Sequence, residues 1–256
     1  MLPNNFYPKY NYNLIRIGSA NDGGYLAEKS SHDSAQTLIS LGLNDNWTFE
    51  KEFSGNFKLP VIGFDCVLNA KFLIKKIVSC IILLYKFYDG KRYISLFKSI
   101  SVYFDYLNHR KFFHQKFVGY SNNERSITFE TLMQTYGTTT PMFLKCDIEG
   151  WEYRILDGLV QFERCFSGVV IEFHDVDLHR ERIQSFIEKF SLTLVHIHPN
   201  NFAGVDNFGH PLVIEMTFAK NPVPLNFLPY SLPHPLDRPC SDAIAEIPLQ
   251  IPDRAN

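Results

Sequence analysis

A chain of 256 residues is long enough for one sizeable core, either one large domain or a domain with an insertion. Its 25 Lys and Arg stand against 27 Asp and Glu, a formal net charge of −2, so no basic surplus is available to neutralise nucleic-acid phosphates. The five cysteines (Cys66, Cys80, Cys146, Cys165 and Cys240) are odd in number, widely spaced and never paired as Cys-x-x-Cys, which argues against a zinc knuckle or redox motif and for free thiols in a reducing cytoplasm.

The first residues are rich in Asn, Tyr and Pro and lack the basic-then-apolar pattern of a signal peptide. Asp22-Gly23-Gly24 has the chemistry of a turn joining two N-terminal strands. Residues 36–43 form the first apolar run, which ends at Gly42 and is followed by polar Asn44-Asp45-Asn46; residues 48–53 then read as the start of a helix. A second run, 61–64, ends in Asp65. About fifty residues, 67–116, then stand where a single crossover belongs, and their aromatic, Lys-rich helical pattern predicts an inserted helical lobe walling a substrate pocket. Within it, residues 72–88 fall short of the roughly 20 apolar positions a spanning helix needs and carry Lys75, Lys76 and Lys86. The reading is a core-facing amphipathic helix, ahead of a dimer face or a membrane-surface contact.

A third run at 117–120 precedes polar Ser121-Asn122-Asn123-Glu124, and residues 128–136 read as a helix entered through Ser126 or Thr128. Residues 142–146 form the fourth strand, followed by helix 150–160. The fifth strand is 168–173, then come a helix at 181–190, a sixth strand at 192–197 and a seventh at 212–218. Strands alternating with helices predict an α/β fold with a mostly parallel seven-stranded sheet and helices on both faces. From Asn221 onward the chain holds eight of its 14 prolines, so residues 221–256 are expected as an extended tail on the 1–220 domain, with 245–251 available as an edge strand.

Ionisable residues gather where these strands end. The segment from Phe143 to Gly158 delivers Asp147 and Glu149 from an apolar strand into Gly150 and a helical pattern carrying Trp151, Ile155 and Leu159. Alternation places Lys145, Asp147 and Glu149 on one side while the chain stays extended, and pairs Glu172 with His174 and His196 with His198. In open α/β sheets, that carboxyl edge is where ligands bind. Gly42 permits a sharp, close-approaching turn. Asp65, about twenty positions on, has the spacing and chemistry to accept hydrogen bonds from a ribose hydroxyl pair.

The Phe-Leu-Lys-Cys-Asp-Ile-Glu-Gly-Trp-Glu segment resembles the signature of the FkbM-like family of S-adenosylmethionine-dependent methyltransferases, whose strand ends in Lys-Ile-Asp-Val-Glu-Gly followed by Glu. Arg16-Ile-Gly with Asp22-Gly23-Gly24-Tyr25 resembles an element found in a subset of that family. The resemblance runs over roughly residues 14–220, with gaps across the insertion. It implies a Rossmann-like class I methyltransferase fold with S-adenosylmethionine held by Gly42, Asn44, Asp45, Asp65 and the Ser121–Ser126 loop, and with Asp22, Gly23, Gly24 and Tyr25 in contact with the cofactor or the acceptor. The chain departs from the superfamily's Gly-x-Gly-x-Gly loop, having Gly-Leu-Asn-Asp instead.

Family members often O-methylate sugars or other polyhydroxy acceptors in polysaccharide or natural-product pathways, so the resemblance implies a saccharide acceptor. Methyl transfer to a hydroxyl needs the proton removed by a base, or a divalent ion that stabilises the developing alkoxide. His174 and His198 are the base candidates. Asp147, Glu149 and Glu172 are available to orient the imidazole, hold the acceptor or hold a metal. Two other readings stay open: a metal-dependent hydrolase of a phosphorylated sugar, with Asp147, Glu172, His174, His196 and His198 as ligands, and a non-catalytic carbohydrate-binding protein. Homodimerisation also stays open.

Overall fold

The computed structural model describes residues 2–86, 90–137 and 141–251. In chain order the elements are β1 (Tyr10–Asn11), β2 (Leu14–Gly18), β3 (Gly24–Glu28), α1 (Lys29–Ser34), β4 (Thr37–Leu41), α2 (Thr48–Phe53), β5 (Val61–Phe64), α3 (Ala70–Lys86), α4 (Gly90–His109), β6 (Phe113–His114) and β7 (Phe117–Gly119). They continue with β8 (Ser126–Thr128), α5 (Phe129–Tyr136), β9 (Met142–Cys146), α6 (Leu156–Gln161), β10 (Phe166–Phe173), α7 (Val176–Lys189), β11 (Thr193–Pro199), β12 (Ile214–Ala219) and β13 (Asn226–Pro229).

The main sheet has seven strands in the order β11-β12-β10-β9-β4-β5-β6. Strands β10, β9, β4, β5 and β6 pair in parallel, whereas β12 runs antiparallel to both of its neighbours. An α/β fold with a mostly parallel seven-stranded sheet is therefore present. The chain winds from β4 through β5 to β6 on one side and from β9 to β10 on the other, so the winding reverses between β4 and β9. Ligand crevices of doubly wound sheets open at such a reversal, beyond the carboxyl ends of the strands.

Local chemistry explains the elements. Strands β9 and β10 are buried along their whole length, as continuous apolar runs sandwiched between helices should be. Helix α5 starts at Thr128, whose side chain accepts the Thr131 amide hydrogen and satisfies an otherwise orphan donor. The main core joins Ile39, Leu41, Leu144, Ile171, Phe173, Ile197 and Met216 of the sheet to Leu132, Leu159, Ile183 and Phe186 of the helices.

Four expectations need correction. Residues 117–120 do not enter the main sheet; β7 pairs with β8 in a separate two-stranded ribbon, and the edge position falls to the two-residue β6. The helix expected over 150–160 breaks into a 3₁₀ turn, Glu152–Arg154, and the short α6, because Glu149 and Gly150 both take left-handed backbone angles (φ 54° and 91°) before it. Residues 245–251 form no strand; the tail contributes β13 instead, which pairs with β1. Helix α3 is not core-facing along its length: Leu73 is buried, but Ile74, Val78, Ile81, Ile82 and Tyr85 are exposed.

The N-terminal β2–β3 hairpin packs on the sheet, with the Thr217 hydroxyl donating to the Leu26 carbonyl (2.6 Å). Its turn thereby reaches the carboxyl edge of the sheet. The base of α4 is tied down by Asp105, which accepts from the Trp47 indole (2.6 Å) and pairs with Lys51 (2.7 Å). Trp47 packs in a small core with Leu43, Leu68 and Leu73. No helix among the described residues is long and apolar enough to cross a membrane.

Candidate active site

A cavity of about 1280 Å³ opens at the reversal point, over the carboxyl ends of β4, β5, β9 and β10. Its floor is set by a close approach of two strand ends. Gly42 leaves β4 at φ 81°, and a Cβ there would lie 1.6 Å from the Asp147 carbonyl oxygen. Only glycine fits. Lys145 seals the same junction, donating to the Gly42 carbonyl (2.5 Å) and standing 3.5 Å from the Asp147 carboxylate. Burial alone would lower the Lys145 pKa, but Asp147, Glu50 and Glu172 surround the ammonium and raise it. It is a fixed positive charge beneath the acids.

Asp65 organises the adjoining loops. One carboxylate oxygen accepts the amides of Leu43 (2.9 Å) and Asn44 (2.8 Å), and the other those of Val67 and Leu68 (both 2.7 Å). A carboxylate offers about four lone-pair positions, and four backbone donors take them. Asp65 therefore pins the β4 loop to the β5 loop. A ribose reaching this carboxylate has to compete with those amides.

On the far wall, the Tyr25 hydroxyl lies 3.1 Å from Asp147 and 3.0 Å from Glu172. Glu172 is 4% exposed and also accepts from the Asn200 side chain (2.9 Å). Burial first, and then the charges of Asp147 and Glu215, push its pKa well above the ordinary carboxylate range. His174 sits between carboxylates. Its Nδ1 lies 3.1 Å from buried Glu152, and its Nε2 lies 3.4 Å from Glu149 and 3.8 Å from Glu172. Burial alone would lower the imidazole pKa, but the Glu152 hydrogen bond and the charges of Glu152, Glu172 and Asp147 raise it to about 9. A pKa raised in this way favours the protonated imidazolium at neutral pH.

The structure separates the sequence candidates into groups. Asp22, Gly23, Gly42, Asn44, Asp45, Asp65, Asp147, Glu149, Glu172 and His174 all line the cavity. Tyr25 stands behind it, bonded to two of its carboxylates, and Gly24 lies in the hairpin strand, where a Cβ would meet the Ser19 carbonyl at 1.9 Å. Ser121 and Ser126 bond to each other in the β7–β8 ribbon, the Ser126 hydroxyl donating to the Ser121 carbonyl (2.6 Å), and do not line it. His198 is also elsewhere. It is held between Glu215 (3.3 Å) and Glu246 (2.8 Å), under the C-terminal tail.

Three positioning groups were not singled out as site residues from sequence. Glu152, the second Glu of the strand-four segment, accepts the Ile148 and Gly150 amides and orients His174. Lys145 and Asn200 are the others; the available signals were the place of Lys145 two residues before Asp147 and that of Asn200 just past the His196–His198 strand end. Ligand atoms of Asp147, Glu149 and His174 lie within 4.8 Å of one another, close enough for one cation; His198, Glu215 and Cys240 form a second such group, fully buried.

Residues 89–203 match the family described as the methyltransferase FkbM domain. That stretch holds Asp147, Glu149, Glu152, Glu172 and His174 but neither Gly42 nor Asp65. No curated protein matches the chain. Solved structures with some likeness include a delta-N METTL16 MTase domain (9% identity, 73% of this chain and 74% of that one, TM-score 0.37) and M. jannaschii TYW2 in complex with AdoMet (10%, 82% and 88%, 0.34). A fibrillarin/Nop5p complex is a third (11%, 83% and 99%, 0.32). Likeness at these scores carries no weight for fold or function.

Proposed function

We propose, from the match of residues 89–203 to the methyltransferase FkbM domain, that the chain is an S-adenosylmethionine-dependent O-methyltransferase of the Rossmann-like class I type, acting on a sugar or sugar-derived hydroxyl. The observation that carries the reading is the large acid-lined cavity at the reversal between β4 and β9. The same residues fit a cationic nucleoside: Asp147, with Asp22 and Glu149 beside it, complements a positive charge, and the Gly42 turn lets backbone come close to a ligand. Gly42, Asn44 and Asp45, with the loops that Asp65 pins, would hold it together with Asp22 and Gly23. When bound, the cofactor supplies an electrophilic methyl group.

The chain's own residues then have distinct tasks. Asp147 and Glu149 accept hydrogen bonds from acceptor hydroxyls and set their orientation. His174 takes the proton of the reacting hydroxyl at Nε2, and Glu152 at Nδ1 stabilises the charge that results. Glu172 and Asn200 hold the back wall. His174 acts as a base in its neutral form, which a positive charge held in the same cavity would favour by repulsion. Positioning of this kind can supply on the order of 7–11 kcal/mol to a two-substrate step.

A second reading, a metal-dependent hydrolase of a phosphorylated sugar, rests on the Asp147, Glu149 and His174 cluster. Calorimetry separates the two. Saturable binding of S-adenosylmethionine, with methyl transfer to free or nucleotide-linked sugars that survives chelator treatment, supports the methyltransferase. Stoichiometric metal with no nucleoside binding overturns it.

A further inference from the structure

Helix α3 presents three faces at helical spacing. Phe72, Lys75, Lys76 and Ser79 line the cavity. Leu73 is buried, and Cys80 meets Ser95 and Ser99 of α4, so a second face packs against the neighbouring helix. The third face carries Ile74, Val78, Ile81, Ile82 and Tyr85, each between 46% and 93% exposed. On α4, Ile94, Phe97 and Phe104 are 60–69% exposed. Exposed apolar side chains gathered on one helical pair mark a surface that something covers.

Charge says what. Across α3 and α4, residues 70–109, the sequence holds seven Lys and Arg against two acids, Asp89 and Asp105, in a chain whose whole balance is 25 against 27; Asp105 is paired with Lys51, and Lys71 and Lys98 stand exposed at helical spacing from Ile74 and Ile94. A second copy of the chain meeting this face would bring two surfaces of the same sign together. An anionic bilayer answers both properties at once: its headgroups take exposed lysines such as Lys71 and Lys98, and its acyl boundary takes Ile, Phe and Tyr.

We propose that the α3–α4 pair is an interfacial anchor that seats the protein on an anionic phospholipid surface. Neither helix is long and apolar enough to span, so the contact is peripheral. Because α3 also lines the cavity, the anchor holds the cavity beside molecules borne in that surface. The inference concerns the surface alone and does not depend on the methyltransferase reading.

The test is sedimentation of the full chain with vesicles of phosphatidylcholine alone or with about one third phosphatidylglycerol. The expected result is binding to the anionic vesicles that falls roughly tenfold from low to high salt. Ile82→Glu or Phe97→Glu should each weaken it roughly tenfold. Lys71→Glu with Lys98→Glu, both on exposed side chains, should weaken binding to anionic vesicles several-fold and keeps the test sound if an apolar variant misfolds. Equal binding to neutral and anionic vesicles overturns the proposal. So does absence of binding, whether or not sedimentation equilibrium shows a dimer that Phe97→Glu dissociates.

Discussion

His174 shows how neighbours set a residue's chemistry. An isolated imidazole is half-neutral near pH 6.5, but here three carboxylates face the ring and its pKa is about 9. As a base it must lose that proton, so kcat/KM, which reports the free enzyme, should rise with pH towards about 9 in the wild type. Glu152→Gln removes the strongest of the raising interactions, and the rising limb should move to lower pH. His174→Asn should lower kcat by about 10²–10⁴ with cofactor affinity nearly unchanged. A pH–rate profile for the three proteins checks all of this, and an unmoved limb in Glu152→Gln would remove His174 as the base. Gly42→Ala is the sharpest steric test. The new Cβ would collide with the Asp147 carbonyl in a left-handed conformation, so stability should fall by about 2 kcal/mol or more and cofactor binding should fail; chemical denaturation and calorimetry read the two effects.

At the level of elements, the C-terminal tail is a strap buckled to the sheet edge. His196 meets the Tyr230 hydroxyl (2.6 Å) and Asp237 (3.1 Å), His198 meets Glu215 and Glu246, and the Asn201 side chain donates to the Ser241 and Ile244 carbonyls. The strap also touches the cavity wall, since the Asp22 amide donates to the Cys240 carbonyl (3.2 Å) and the Asn21 side chain to that of Pro239 (3.1 Å). His198 is lowered by burial but raised more by Glu215, Asp237 and Glu246, to about 9. Its pKa lies above the unfolded value, so its stabilisation is complete below about pH 6.5 and fades as pH rises through about 9. His174 acts in the same direction. The thermal midpoint should therefore decline between pH 6.5 and 9. His198→Gln should cost about 3 kcal/mol near neutral pH by stranding buried Glu215, flatten part of that decline, and speed hydrogen exchange over residues 230–246.

For the whole molecule, a ligand that binds only the folded state stabilises it by mass action. S-adenosylmethionine at a hundredfold excess over its Kd should add about 2.7 kcal/mol, a rise in thermal midpoint of roughly 5–10 °C. A scan with no shift would count against the cofactor. The pattern of residues was enough to establish an α/β chain with a mostly parallel sheet, the strand ends carrying Gly42, Asp65, Asp147 and Glu172, and the place where helix α2 begins. Those properties follow from local periodicity and turn chemistry, which neighbouring residues dictate. Tertiary structure decided which of these residues meet. Register puts Glu172 opposite Glu215, and Glu215 opposite His198, in one row. Because antiparallel β12 lies between β10 and β11, His198 sits two strand spacings, roughly 10 Å, from Glu172. Two histidines with the same local signature thus have different surroundings, one at the cavity and one under the tail, because strand order depends on long-range pairing that no local pattern encodes.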